Sequence, residues 1–186
     1  MSLYSIESIT GGITAVSGIE AAGYNCGMKK NGSKDLALIY SRKPAAAAGG
    51  FTRNKFKAPP LIITQQNIAN PVRAIIVNSG NANACTGARG LKDARDTAVI
   101  TAEKLGLQKE EVLVASTGVI GNYLPMEKLT RGIGEIVKKL SPAGGEAAAE
   151  AILTTDTVTK MSACRVRAEG GKVLFALGGM AKGSGM

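Results

Sequence analysis

The sequence predicts a mixed α/β domain, layered from sheet and helix. Short apolar runs of strand length are bounded by Gly, Asn and Ser. Apolar stripes recur elsewhere at helical spacing, and a strand–helix–strand succession fills residues 72–115. The chain has 186 residues, no internal repeat and no Pro/Ser-rich linker, and it reads as a single domain over 1–186. It holds 24 Gly and 27 Ala, only 4% aromatics and no Trp. The core must therefore be built from small and aliphatic side chains that let backbones approach closely.

In order, residues 13–16 and 36–40 are short apolar runs and are expected as strands. Ala58-Pro59-Pro60 punctuates the chain, and a short helix is expected from Pro60, where the missing N–H costs nothing. Residues 72–78, Val-Arg-Ala-Ile-Ile-Val-Asn, form the clearest buried strand and run into turn chemistry, Ser-Gly-Asn-Ala-Asn. Leu91, Ala94, Ala98, Ala102 and Leu105 mark one helical face, and Gly106 stops it. Residues 112–115 are a further strand. Met126, Leu129, Ile133, Ile136, Val137 and Leu140 outline a second helix entered at Pro125, and residues 146–153 an Ala-rich third. Residues 163–168 and 172–177 flank Glu169-Gly170-Gly171 as a hairpin, so the front and the tail are expected to be antiparallel. The chain then runs into a Gly-rich loop, Gly178 to Met186, directly after a strand. Such a loop is ordinarily mid-domain material, and the expectation is a fragment or one product of a processed precursor.

Composition excludes several chemistries. There is no His, so this chain alone cannot build a Ser-His-Asp triad, a Cys-His pair or a His-ligated metal site. Cys26, Cys85 and Cys164 are too far apart for a CxxC motif, and their odd number argues against a disulfide framework and fits a reducing cytosol. No run approaches about 18 consecutive apolar residues, so no membrane span is expected. The N-terminus lacks the basic and apolar regions of a secretory signal, and a cytoplasmic location is expected.

The net charge is +9, of which +7 falls within residues 29–57. That stripe fits a solvated face, a means of steering a small anionic substrate, or a nucleic-acid surface with Tyr40, Phe51 and Phe56 for stacking. No RNP, KH, zinc-finger or helix-turn-helix signature supports the last.

Four segments could carry chemistry. Thr117-Gly118 follows a strand, where a hydroxyl and a backbone N–H can converge on one point as an oxyanion hole requires; equally, such a turn can simply close a loop. Thr154-Thr155-Asp156-Thr157 can bind polar groups or stabilise a helix exit. Lys182 lies among Gly178, Gly179, Gly183 and Gly185, and is either a ligand-reaching ammonium or a tail lysine; the Walker A order is absent. The Asn78–Cys85 loop can bind a polar ligand or hold itself together by Asn side chains, the second being favoured. Cys85 has no His to act as base and no adjacent cation, which argues against a nucleophile there.

Taken together, Asn78-Ser-Gly-Asn-Ala-Asn-Ala-Cys85, Ala115-Ser-Thr-Gly-Val-Ile-Gly121, Ala151-Ile-Leu-Thr-Thr-Asp-Thr157 and Gly178-Gly-Met-Ala-Lys-Gly-Ser-Gly-Met186 resemble, in order, the N-terminal half of the ornithine acetyltransferase (glutamate N-acetyltransferase) family. The likeness runs through nearly the whole chain. It implies an α-β-β-α sandwich and a precursor of roughly twice this length that cuts itself at an Ala–Thr bond. The present chain would be the α chain. The nucleophile would be the N-terminal Thr of the β chain, whose own α-amine serves as base, so no His is required.

The resemblance further implies that Thr117 and Gly118 form the oxyanion hole, that Thr154 contacts substrate and that Lys182 pairs with the substrate's α-carboxylate. The implied reaction is ping-pong: acetyl passes from N2-acetylornithine to Thr and then to glutamate, in arginine biosynthesis. The resemblance implies no cofactor, leaves acetyl-CoA as an alternative acetyl donor, and implies αβ pairs in a higher oligomer, a heterotetramer. One departure is local: the stretch after Asp156 reads Thr-Val-Thr-Lys, where many relatives have Pro before the Lys. Two other readings stand beside this one, a related self-cleaving amidohydrolase or aminopeptidase and a basic nucleic-acid-binding domain.

Overall fold

A computed structural model describes residues 4–184; Gly185 and Met186, the end of the last quoted motif, lie outside the described residues. Seven strands and four α-helices follow one another as β1 (Tyr4–Ile9), a 3-10 turn (Gly12–Ala15), β2 (Ile19–Tyr24), β3 (Leu36–Ala45), α1 (Pro59–Asn67), β4 (Val72–Asn81), α2 (Gly87–Leu105), a second 3-10 turn (Lys109–Glu111), β5 (Val112–Val119), α3 (Met126–Val137), α4 (Gly145–Ala151), β6 (Lys160–Ala168) and β7 (Val173–Ala181). The strands make a four-stranded sheet, β2-β3-β4-β5, and a three-stranded sheet, β1-β6-β7. The mixed α/β class is as expected.

Alternation along the four-stranded sheet builds two cores. On one face Ala22, Leu36, Leu38, Ala74, Ile76, Val112 and Val114 meet the inner faces of α2 and α3. The expected stripes supply those faces: Ala94, Ala98 and Ala102 from α2, and Leu129, Ile133 and Ile136 from α3. α2 stops at Gly106, whose left-handed backbone returns its N–H to Ala102 and Glu103. On the other face Ala21, Ala37 and Val77 meet Ala148, Ala151 and Ile152, with Ile13 and Met180 beside them. α4 lies against β2 so closely that a Cβ at Gly23 would stand 1.9 Å from the Ala147 carbonyl oxygen. Together α4 and the first 3-10 turn join the two sheets, packing on β2 and on β6.

β5 is an edge strand of its sheet, and α1 covers its outer edge. Thr64 Oγ1 donates to Val114 O (2.7 Å) and accepts from Val114 N (2.9 Å), while Asn67 Nδ2 donates to Val112 O (2.9 Å). In the three-stranded sheet, the register places Tyr4, Ile6, Phe175 and Leu177 on one face, and each is half exposed or more.

Three expectations are corrected. Residues 13–16 are not a strand: Gly11 and Gly12, both at positive φ, wind the chain into a 3-10 turn. The first strand is instead Tyr4–Ile9, which leaves the front of the chain and pairs with β6 in the tail sheet. The strand expected to end at Asn78 continues through Ser79 and Gly80 to Asn81, because β5 runs parallel beside it as far as Gly118 and Val119. No helix of the described residues is long and apolar enough to cross a membrane.

Candidate active site

The site forms where β4 and β5 end side by side. Ser79 is in register with Thr117, and Gly80 with Gly118. Gly118 has φ +136°, and a Cβ there would lie 2.3 Å from Gly80 C and 2.6 Å from Asn81 N. Only glycine permits this approach of two backbones, and it brings Thr117-Gly118 to the surface at the strand ends. The Asn-rich loop beyond β4 holds itself in place, as favoured from sequence. Asn78 Nδ2 donates to Asn81 O (2.8 Å), Asn83 N to Asn81 Oδ1 (2.8 Å) and Asn83 Nδ2 to Gly90 O (2.9 Å). Asn81 Nδ2 also bonds the carbonyls of Asn122 and Tyr123, which ties down the loop that leaves β5.

Lys182, just past β7, reaches across from the other sheet. Its ammonium donates to Thr117 Oγ1 at 3.0 Å and to Thr154 Oγ1 at 2.8 Å. Three of the four residues singled out from sequence therefore meet at one nitrogen, with Gly118 adjacent to Thr117. The tail-lysine reading fails, since this side chain is partly buried and bonded. Among the described residues no carboxylate forms an ion pair with Lys182. A lysine ammonium has three protons and accepts nothing, so two are engaged by the threonines and one remains. Each hydroxyl accepts from the lysine and so keeps its own O–H proton for another acceptor.

The Thr-Thr-Asp-Thr segment does not stabilise the exit of α4; it grips the chain around Lys182. Thr155 Oγ1 lies 2.9 Å from Ser184 Oγ, and Gly183 N donates to Asp156 Oδ1 at 2.7 Å. Lys160 Nζ also donates to Asp156 Oδ1. The Lys160 hydrogen bond, and next the Gly183 N–H, hold the Asp156 carboxyl below its ordinary value of 3.8.

Two contributions were missed from sequence. One is the Asp156–Lys160 pair: Asp156 lay within the singled-out Thr-Thr-Asp-Thr segment, but its pairing with Lys160, three residues beyond that motif, had no signal except an Asp four residues before a Lys. Lys29 is the other. Asp35, fully buried, accepts from Cys26 N (2.7 Å), Met28 N (2.6 Å) and Lys29 N (3.0 Å), folding this loop against the sheet. The Lys29 stem then packs beside Gly80, and burial lowers its pKa against the pull of Asp35, with the smaller repulsion of Lys182 adding to the lowering. The sequence signal for Lys29 was its place at the head of the basic stripe, which gave it no particular role.

The other candidates do not join the site. Cys85 is exposed at positive φ in a separate 270 Å³ cleft lined by Phe56, Pro59, Ile62 and Leu91. The basic stripe is partly neutralised within the chain: Lys34 pairs with Glu150 and Arg42 with Glu20. Arg73 lies 5.0 Å over the Tyr40 ring, so that ring is not an open stacking platform; Phe56 is 73% exposed. No group of three or more His, Cys, Asp or Glu among the described residues is placed to hold a metal ion.

The sequence model of the ArgJ family matches residues 20–186. The arginine biosynthesis bifunctional protein ArgJ of Symbiobacterium thermophilum is 48% identical over 184 residues, covering 97% of this chain and 45% of that protein. The Gloeobacter violaceus protein of the same name is 48% identical over 182 residues, covering 97% of this chain and 44% of that one. The chain thus spans about half the length of the curated relatives it matches. Among solved structures, the Bacillus halodurans arginine biosynthesis bifunctional protein superposes with a TM-score of 0.91 at 42% identity, covering all of this chain and 97% of the matched chain. Ornithine acetyltransferase from Mycobacterium tuberculosis, solved in complex with ornithine, gives 0.88 at 41% identity, covering 98% and 97%.

Proposed function

The chain belongs to the ArgJ family, and from that premise we propose that it is the α chain of a self-cleaved acetyltransferase. Residues 1–186 would form the N-terminal part of a longer precursor, paired with a β chain that begins with the nucleophilic Thr. In favour of this division, the chain covers 45% of a full-length relative but 97% of each matched chain in the two solved structures. The enzyme would act in the cytoplasm as αβ pairs in a heterotetramer, without a cofactor. Acetyl transfer between two amines of similar reactivity requires no energy source.

The steps follow from the residues. The β-chain Thr hydroxyl, its proton taken by the chain's own α-amine, attacks the acetyl carbonyl of N2-acetylornithine. The carbonyl oxygen becomes an oxyanion, met by the Thr117 O–H and the Gly118 N–H. The C–N bond breaks, ornithine leaves with the proton, and acetyl stays on Thr as an ester. The α-amine of glutamate then attacks the ester through the same oxyanion, releasing N-acetylglutamate and free Thr. Lys182 would hold the α-carboxylate of each substrate in turn with its remaining proton, and Thr154 would place a hydroxyl beside that carboxylate.

The observation that carries this reading is the Lys182 ammonium between Thr117 and Thr154. It orients two hydroxyl donors and lacks a carboxylate partner within the described chain. The test is to express the full precursor, sequence its N-termini and measure acetyl transfer from N2-acetylornithine to glutamate against transfer to water. A second chain beginning with Thr and transfer to glutamate are expected. Hydrolysis alone would favour an amidohydrolase and overturn the proposal.

A further inference from the structure

The segments on either side of Lys182's hydrogen bonds are held residue by residue. Thr154 meets Lys182, Thr155 meets Ser184 and Asp156 meets Gly183. Asp156 is the anchor of this contact. Its side chain is fully buried, 0% exposed, although it lies beside a surface lysine. Oδ1 accepts from Gly183 N at 2.7 Å and from Lys160, and Lys160 Nζ also donates to Gly183 O at 2.6 Å. One ammonium and one carboxylate thus take both polar groups of Gly183. Oδ2 is buried with no partner among the described residues.

Burying a carboxylate is costly unless donors compensate it, and here the donors are Gly183 N and Lys160 rather than the Asp's own turn. Here the charge is kept and aimed at one peptide. The Gly183 N–H belongs to the peptide bond that leaves Lys182, so gripping it sets the backbone from which the lysine side chain departs. Gly183 is at φ +138°, a conformation open to glycine, and the Asp156 and Lys160 bonds hold it there.

We propose that Asp156, supported by Lys160, is a positioning residue for substrate binding: it fixes the peptide after Lys182 so that the ammonium stands between Thr117 and Thr154. This rests on the reading of Lys182 as the carboxylate ligand given above. Asp156 itself touches no substrate in this scheme; it acts through Lys182.

A double-mutant cycle on the matured, full-length enzyme tests it, with wild type, Asp156→Asn, Lys182→Ala and the double variant. Asn keeps the shape and an acceptor for Gly183 but has no charge to hold Lys160. Asp156→Asn is expected to raise the KM for N2-acetylornithine about tenfold, with a smaller fall in kcat through the Lys182 bond to Thr117. In the Lys182→Ala background the same change should add nothing, because the group being positioned is gone. A KM penalty that multiplies in the double variant, as a general packing defect gives, overturns the proposal. So does a wild-type KM in Asp156→Asn. Should Asp156→Asn fail to mature, Lys160→Gln replaces it, with a smaller KM rise that must likewise vanish beside Lys182→Ala. A wild type that transfers no acetyl overturns the functional reading instead, and an active wild type with an additive cycle overturns this one alone.

Discussion

Gly118→Ala is the sharpest test of the strand-end geometry. The added Cβ would stand 2.3 Å from Gly80 C, 2.6 Å from Asn81 N and 2.7 Å from Gly80 O. All three are backbone atoms, so no side chain can swing aside. The closest is about 1 Å short of ordinary contact, and β4 and β5 must separate by that much. Alanine at φ +136° adds backbone strain of about 1–3 kcal/mol, and forcing the strands apart adds about 1–3 kcal/mol. The expected loss is therefore about 2–6 kcal/mol, which lowers the melting temperature on the order of 10 °C in a protein of this size. A displacement of about 1 Å at the donor pair should also slow acetyl transfer about 10²-fold. Both are read on the matured enzyme, by a thermal melt and by steady-state transfer to glutamate. A variant that melts with wild type and transfers at the wild-type rate would refute the claim that this backbone contact shapes the site.

Three further outcomes are expected. Thr117→Ala removes a donor without removing core and should slow transfer about 10²–10³-fold while melting nearly as wild type, with Thr117→Ser restoring most of the rate; full activity in the alanine variant would exclude the hydroxyl as a donor. The Asp156 carboxyl is lowered from 3.8 by Lys160 and then by Gly183, so its stabilisation is complete above pH 3.8 and is lost as pH falls through the lower folded value. The melting-temperature gap between wild type and Asp156→Asn should accordingly narrow on acidification below 3.8, and a gap that stayed constant would show that the ionised form contributes nothing. Burial, and then Asp35, push the Cys26 thiol up to about 12, whereas Cys85 is exposed. Iodoacetamide at neutral pH should modify Cys85 and spare Cys26 until the protein is unfolded, as peptide mass mapping would report.

What the sequence revealed and what it hid divide along physical lines. The Ala94/Ala98/Ala102 and Leu129/Ile133/Ile136 stripes were legible because one face of each helix is fully buried, which forces the period. β1 was not, because its residues are largely exposed and Tyr4 and Ile6 face no core within the described chain. β2, Ile-Glu-Ala-Ala-Gly-Tyr, hid behind small residues that its contact with α4 demands, Gly23 above all. The run at 13–16 misled because a four-residue stretch, Ile-Thr-Ala-Val, fits a strand or a turn equally, and Gly11-Gly12 decided it. The site residues stood out only as members of quoted motifs. Their convergence was invisible to spacing, since Lys182 lies 65 residues from Thr117 and 28 from Thr154 on separate elements. Asp156 looked like turn chemistry, because an Asp between threonines ordinarily serves the local backbone.

The placement of Lys182 also has a mechanical consequence. Thr117 belongs to the four-stranded sheet, whereas Lys182 continues β7 of the three-stranded one. The ammonium therefore bridges the seam between two sheets, beside the joint that α4 and the first 3-10 turn already make, and a carboxylate seated on it would touch both sides. By mass action, a ligand that requires the closed seam, present at a hundred times its Kd, adds about 2.7 kcal/mol to the stability of the joint. On the proposed role of Lys182, occupancy and cohesion would then be one quantity: a change that loosened the seam would weaken the grip on the carboxylate, and a filled site would hold the two sheets together.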